Sequence, residues 1–322
     1  MATIAYAAPQ QEVLATSRMP QNMRMTWESW DGTVWDIANG TEGVALMNGV
    51  RGLNMPEVTR HTQTSPAVHG SRRTGWIANE REVFWPVLVY KPIGDPNWHE
   101  LDSKFWRSMH PDKPGTWTVT DPDGRTRKLS CVYKGDSGHV TDVLPSVTGW
   151  EKYGIYLAAE QPFWTGEVIR RGWSASSSLN FFTGNGDGKK YIASASSTSK
   201  ANITNPGDLD AWPKWTVIGP STSTTIGIPG RTITIPFNIP AGKAVEIDTN
   251  PAKQTILYGD YMASTTSAFG TIKNTVNKFA DMGAIDFAPI NAGEKVPLTI
   301  TINGTGVCLM EIVPRHFRAW GI

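Results

Sequence analysis

The stretch RTITIPFNIPAGKAVEID, residues 231–248, decides the fold. Apolar side chains recur at every second position, at Ile233, Ile235, Phe237 and Ile239. After Ala241-Gly242 the same period resumes at Val245 and Ile247. A period of two is that of a strand with one buried face, and the glycine marks a turn. KVPLTITINGTGVCLMEIV, residues 295–313, repeats the design with Val296, Leu298, Ile300 and Ile302 and a turn at Asn303-Gly304. Both read as hairpins, and together they predict a β-sandwich whose sheets have one wet and one dry face.

Upstream the composition changes. GWSASSSLNFFTGNGDGKKYIASASSTSK, residues 172–200, is rich in Ser, Gly and Lys. The domain boundary is expected just before it. The predicted division is an arm over 1–21, a β domain over 22–169 and the sandwich over 170–322. A chain of 322 residues has room for two cores at about 100–200 residues each.

The first half also reads as strands. TWESWDGTVWDI, residues 26–37, predicts a hairpin with a tight I′ turn at Asp31-Gly32. TWTVTDPDGRTRKLSCVY, residues 116–133, predicts a second at Asp123-Gly124. There Trp117 and Val119 alternate on one arm, with Leu129, Cys131 and Tyr133 on the other. REVFWPVLVYK, from Arg81, is rich in strand formers, but Pro86 lacks a ladder donor and predicts an edge or a bulge. The polar run HTQTSPAVHGSRRTG, residues 61–75, suits an extended hairpin arm better than a core element. One helix is expected: Asp95 as cap, Pro96 in the first turn, and an apolar stripe of Trp98, Leu101, Phe105, Trp106 and Met109. IKNTVNKFADM, residues 272–282, has weak helical spacing and is left open.

Composition narrows the function. Lys+Arg 30 against Asp+Glu 29 gives no basic surface for nucleic acid or anionic lipid. Charged residues are only 18% while Trp reaches 14, which fits extensive buried or mated surface. Cys131 and Cys308 lie far apart in apolar runs and read as buried thiols, in keeping with a reducing cytosol. The N-terminus has no basic region ahead of an apolar one, so no signal peptide is expected, and no run approaches a membrane span.

Candidate chemistry is thin. Gly135-Asp136-Ser137-Gly138 spells the surroundings of a serine-protease nucleophile. A nucleophilic serine needs a histidine base and an orienting carboxylate. The six histidines, His61, His69, His99, His110, His139 and His316, offer no such context, and His139 stands where a glycine is expected. A turn is the reading adopted. TGNGDGKKY, residues 183–191, lacks the spaced acids and distal glutamate of a calcium loop. His99 and His110 share no metal-ligand spacing with a third residue, and there is no Walker or dinucleotide glycine motif. No catalytic residue, cofactor or metal is expected. Tryptophans stack on sugar rings, so a glycan-binding module is carried as the alternative. Most of them follow core-patterned strands, whereas Trp76, Trp212 and Trp320 lie in polar or loop contexts suited to interface anchors.

The order of motifs resembles a known family. NPGDLDAWPKWTVIGP, residues 205–220, is followed by RTITIPFNIPAGKAVEIDT, and this is similar to the C-terminal domain of siphophage distal tail proteins. In the first half, TWESWDGTVWDI, GVRGLNMP, ANEREVFWPVLVY, LDSKFWRSM and RTRKLSCVYKGD succeed one another in the family's order, and NAGEKVPLTITING resembles its closing turn and strand. The resemblance covers about residues 22–322; the 20-residue arm departs from the shortest members, and the tryptophan-rich length looks most like versions from actinobacterial phages.

The resemblance implies a non-enzymatic virion protein, made in the host cytoplasm and placed at the distal end of a long non-contractile tail. It implies a mainly β fold, with a split-barrel-like N-terminal domain carrying one short helix and a galectin-like C-terminal sandwich. It implies a homo-hexameric ring joining the major tail tube protein to a downstream tip or hub protein, its lumen passing the tape measure protein and then DNA. No His-x-Asn-x-Arg sugar motif occurs in 170–322. No sequence-specific nucleic-acid contact or membrane insertion is expected. A closed ring needs edges that mate head to tail. The 61–90 segment offers an arm for that purpose, with Arg72, Arg73, Trp76 and Arg81 as candidate subunit-interface residues.

Overall fold

The computed structural model describes residues 23–93, 95–138, 143–174, 192–193, 201–264, 269–283 and 285–321. The N-terminal arm, His139 and the 183–191 segment lie outside them. The fold is mainly β, and the chain divides into two compact units. One runs to Gly166 and takes back the chain from His316 onward; the other spans Glu167–Arg315.

The first unit contains β1 (Arg24–Glu28), β2 (Val34–Asp36), β3 (Val44–Leu46), β4 (Val58–Ser65), β5 (Val68–Ala78), β6 (Arg81–Tyr90), α1 (Trp98–Arg107), β7 (Gly115–Thr120), β8 (Thr126–Asp136), α2 (Pro145–Thr148), β9 (Trp150–Ala159) and β10 (Trp164–Thr165). The main sheet runs β2-β1-β7-β8-β9-β6-β3. It curls almost into a barrel: the Leu46 N–H, on the last strand, donates to the Ile37 carbonyl just beyond the first, at 2.7 Å.

Tryptophans fill its interior. Trp27 meets Trp85 edge-on at 5.2 Å, Trp85 meets Trp117 at 5.2 Å, and Trp117 meets Trp164 at 5.1 Å. All four are buried. Such edge-to-face contacts add about 0.5–1.5 kcal/mol each beyond burial. Helix α1 closes one end with the predicted stripe: Trp98, Leu101, Phe105 and Met109 are buried. Its start differs from expectation. The cap position is Asn97, and Asp95 instead accepts the Asn97 N–H at 2.8 Å, so its carboxylate shapes the turn before the helix.

Both predicted hairpins form, with another turn than I′. Gly32 N–H bonds to Ser29 O at 3.0 Å and Ser29 N–H to Thr33 O at 2.8 Å; Gly124 repeats this with Asp121, and Asp121 with Arg125. In each loop the glycine is the residue with positive φ, +85° at Gly32 and +81° at Gly124. This is a three-residue loop whose last residue adopts the left-handed conformation, which needs Gly where I′ would need two such residues.

Pro86 lies in an inner strand, not at an edge. β6 pairs with β9 over ten consecutive positions, Pro86 opposite Gly154, and with β3 on its other side. The Pro86 carbonyl faces the β3 side, where it accepts from Met47. The missing N–H therefore faces Met47, just past the end of β3, so the ladder loses a single bond at that strand's end.

The second unit contains β11 (Ile169–Ser174), β12 (Ile192–Ala193), β13 (Asn202–Thr204), β14 (Lys214–Ile218), β15 (Ser221–Ile228), β16 (Arg231–Ile235), β17 (Lys243–Asp248), β18 (Thr255–Met262), β19 (Thr271–Asn277), β20 (Lys295–Pro297), β21 (Thr299–Gly304) and β22 (Val307–Ile312). A seven-stranded sheet, β12-β11-β22-β14-β17-β18-β19, packs against the three-stranded β16-β15-β21, with β13-β20 as a short third sheet. Between them lie Trp215, Val217, Val245, Ile247, Cys308 and Met310 from the large sheet, and Ile226, Ile233, Ile235 and Ile300 from the small one. The 272–282 run is β19 followed by a 3-10 turn, Phe279–Asp281.

The two stretches read as hairpins are not hairpins. β16 and β17 lie in different sheets, and so do β21 and β22. Each turn carries the chain across the sandwich, as does Gly219-Pro220 between β14 and β15. A period of two fixes only that one side faces the core, and it serves equally for a hairpin or a crossing. The three crossings stack together. Ser221 and Ile239 exchange both backbone hydrogen bonds, at 2.9 and 2.8 Å, and Gly219 N–H donates to Lys243 O at 3.0 Å. The large sheet is also not simply wet outside: Ile218, Ala244, Val307 and Leu309 form a second small core on its other face.

The last strand, β23 (Arg315–His316), pairs with β10. Beyond it Ala319 is buried in the tryptophan core and Trp320 packs against it.

Candidate functional site

The predicted catalytic-looking motif is a turn. Ser137 is exposed, its N–H donates to Gly154 O at 2.8 Å, and the Asp136 carboxylate accepts the Gly138 N–H at 2.9 Å. The aspartate is thus used by its own loop. Among the described residues, no three His, Cys, Asp or Glu side chains gather to hold a metal. No helix among the described residues is long and apolar enough to cross a membrane. Cys131 and Cys308 are buried free thiols, and burial pushes both thiols up.

The feature without a role inside the chain is the arm. Among the described residues β4 and β5 pair only with each other, and every residue of β4 is exposed. A lone two-stranded ribbon is marginal in water and gains from a partner. From Val58 to Asn79 the sequence holds three arginines, two histidines and no acid. The register sorts the side chains. Arg60 stands opposite Trp76, and Thr62 opposite Arg73, while Gln63 faces Arg72. Alternation along β4 puts Arg60, Trp76 and Arg73 on one face and Arg72 on the other. Arg60, Arg72 and Arg73 are exposed, and Trp76 keeps 39% of its surface while leaning on Phe317 at 5.9 Å.

Arg81 stands apart from the other three candidates. It is 2% exposed. Its Nε donates to Pro162 O at 2.6 Å, Nη1 to Gly52 O at 2.7 Å and to Asn54 O, and Nη2 to Phe317 O at 2.7 Å. Burial brings its pKa down to about 10. Arg127, also buried, donates to Arg318 O at 2.9 Å and Gly321 O at 3.2 Å. The arginine-bearing strands thus hold the returning C-terminal segment, a task that no local pattern announces.

At the root of the arm the charge reverses. Glu80 and Glu82, both about half exposed, flank Lys134, which bonds to Glu80 at 3.0 Å and approaches Glu82 at 3.9 Å. Glu160 follows Ala159, the register partner of Arg81, and is exposed. Two carboxylates share one lysine there, and Glu160 stands just beyond the end of the neighbouring strand.

In the second unit, Asn205 is fully buried and staples the NPGD turn. Its Nδ2 donates to Leu209 O at 2.8 Å and Ile290 O at 2.9 Å, and its Oδ1 accepts from Gly207 at 2.9 Å. An open pocket of about 380 Å³ is lined by Pro236, Phe237, Asn238, Tyr258, Lys278 and Asp281. Of the tryptophans proposed as anchors, Trp212 and Trp320 are half-buried.

No protein-family model and no curated protein matches the chain. Solved structures do. The Dit (gp 19.1) protein of phage SPP1, described as a paradigm of the hub adsorption apparatus in Gram-positive-infecting phages, matches with a TM-score of 0.58 at 11% identity. The match covers 91% of this chain and 98% of that one. Two structures of the phage p2 baseplate in its activated conformation, with calcium and with strontium, match at TM-scores of 0.48 and 0.49, each at 12% identity. They cover 91% and 90% of this chain and 98% and 97% of theirs. The first likeness spans both units, so the fold shared with the SPP1 protein is that of the whole chain.

Proposed function

We propose that this chain is a structural protein of a phage tail tip, of the distal tail kind, and not an enzyme. Copies join head to tail through the barrel unit into a hexameric ring. The ring connects the tube of a long non-contractile tail to the tip or baseplate, and its lumen passes the tape measure protein and DNA. The observation that carries this reading is the near full-length likeness to a hub protein. The arm supports it: an exposed ribbon that pairs with no other described strand is suited to a head-to-tail contact. Arg72, Arg73 and Trp76 are proposed interface residues, and Arg81 acts from inside by holding the arm's root.

The test is a cryo-electron microscopy map of the tail tip. Six copies around the axis, barrel units inward, are expected. A map with this chain outside the central ring, or in another copy number, overturns the reading.

A second reading, glycan binding by the sandwich, is favoured by the pocket at Phe237 and Tyr258. It combines aromatic rings with the Lys278–Asp281 pair, groups that suit a neutral polyol with one apolar face. Binding of no glycan on a broad array by full-length protein removes it.

A further inference from the structure

We infer that the arm's acceptor is the acidic root of a second copy. The Arg60–Trp76–Arg73 face of one arm would lie on the Glu80, Glu82 and Glu160 carboxylates of the next molecule. This rests on the head-to-tail reading above and adds the docking surface, the third residue Arg60, and the face used.

The argument is one of charge and geometry. The arm is a pure donor surface: it has no acid between Val58 and Asn79, and Arg60, Arg72 and Arg73 form no ion pair or side-chain hydrogen bond among the described residues. Guanidinium groups left without carboxylates on an exposed ribbon are available for forked bonds to another surface. Trp76 sits between Arg60 and Arg73 on one face, so that face offers large rigid contact area flanked by two forks. Aromatic and arginine side chains together are the commonest anchors of protein contacts.

The root carries the complement. Glu82 pairs in register with Ala158, on the side of the sheet away from the tryptophan core, and the exposed Glu160 follows directly on the end of β9. Glu80 and Glu82 compete for one ammonium, Lys134, and Glu160 adds a third carboxylate. Passing each arm to the next molecule's root uses both at every contact, and this heterologous arrangement closes into a ring.

The experiment uses the full chain. Arg60→Glu with Arg73→Glu, or Glu80→Arg with Glu82→Arg, should each lower tail assembly in complementation at least tenfold. Supplying the two variants together should restore it, because the acidic arm of one then meets the basic root of the other in alternation. Lys253→Glu, an exposed charge reversal in the other unit, should leave assembly within about twofold of wild type. Independently, a benzophenone side chain placed at Thr62 in assembled tails should crosslink to residues 80–82 or 158–160 of a neighbouring copy. Crosslinks to another part of a second copy overturn the acceptor but keep the ring; crosslinks only to a different protein, or none, overturn the inference. A lack of mutual rescue by the two folded charge variants also counts against it.

Discussion

The Arg81 guanidinium donates to the Phe317 carbonyl at 2.7 Å, across 236 positions of sequence. The same side chain reaches the loop at Gly52 and Asn54 and the turn at Pro162. One buried cation thus ties three separate parts of the barrel, each through a carbonyl. Arg81→Leu should therefore cost about 3 kcal/mol or more, since a charged donor is lost and its acceptors stay buried. Arg81→Lys should recover little of that, because a single ammonium cannot reproduce the fork. Urea unfolding of the barrel transition measures both; a loss under about 1 kcal/mol for Arg81→Leu would contradict the role.

The chain leaves the barrel at Gly166 and returns at His316, and the strands on the far side, β11 and β22, pair Ile169 with Ile312. The sandwich is thus inserted into the barrel on two neighbouring strands. A fragment of residues 167–315 should fold by itself, while a chain ending at 315 should lose barrel stability through the missing acceptors of Arg81 and Arg127. Dispersed amide spectra for the fragment, and a lowered barrel transition for the truncation, are the expected results. An unfolded fragment contradicts the insertion.

At the stacked crossings, a Cβ on Gly219 would overlap the carbonyl oxygens of Ile239 and Pro240. These are backbone atoms held by the Ser221–Ile239 bonds and cannot step aside. Gly219→Ala should destabilise the sandwich by about 2 kcal/mol or more, as overpacking does in cores. Gly242→Ala, at an open turn with φ +79°, should cost only its backbone strain, about 1 kcal/mol. Thermal melts of the 167–315 fragment rank the two, and an equal or reversed order contradicts the stacking.

Ser137→Ala should change neither stability nor tail assembly, because the Ser137 backbone, not its hydroxyl, makes the turn bond to Gly154. Labelling of wild type but not of the variant by a fluorophosphonate probe would contradict a purely structural loop.

The sequence makes faces legible and connections opaque. Ile233 to Ile247 alternate as buried residues must, yet the alternation is blind to whether β16 turns back on itself or crosses to another sheet. Pro86 misled for a related reason: the missing N–H tells of a gap in the ladder, and β3 happens to end there inside the sheet. The arm was legible because a long polar, acid-free run with strand formers at its end cannot be a core element. Its face was not: Arg60 joins Trp76 only through the cross-strand register, 16 positions away in the chain. Arg81 looked like a surface anchor because no local pattern distinguishes an arginine facing a partner from one facing four carbonyls.

Eleven of the fourteen tryptophans belong to the barrel, and Trp173, Trp212 and Trp215 to the sandwich. The indole nitrogens of Trp27, Trp35, Trp85, Trp98 and Trp117 are buried with no hydrogen-bond partner among the described residues. Indoles so shielded emit at the blue end of their range and shift red when water reaches them. The molecule therefore carries its own optical gauge. Its fluorescence colour weights the barrel over the sandwich, whereas amide circular dichroism follows both, so comparing the two separates the melting of the units in the intact chain.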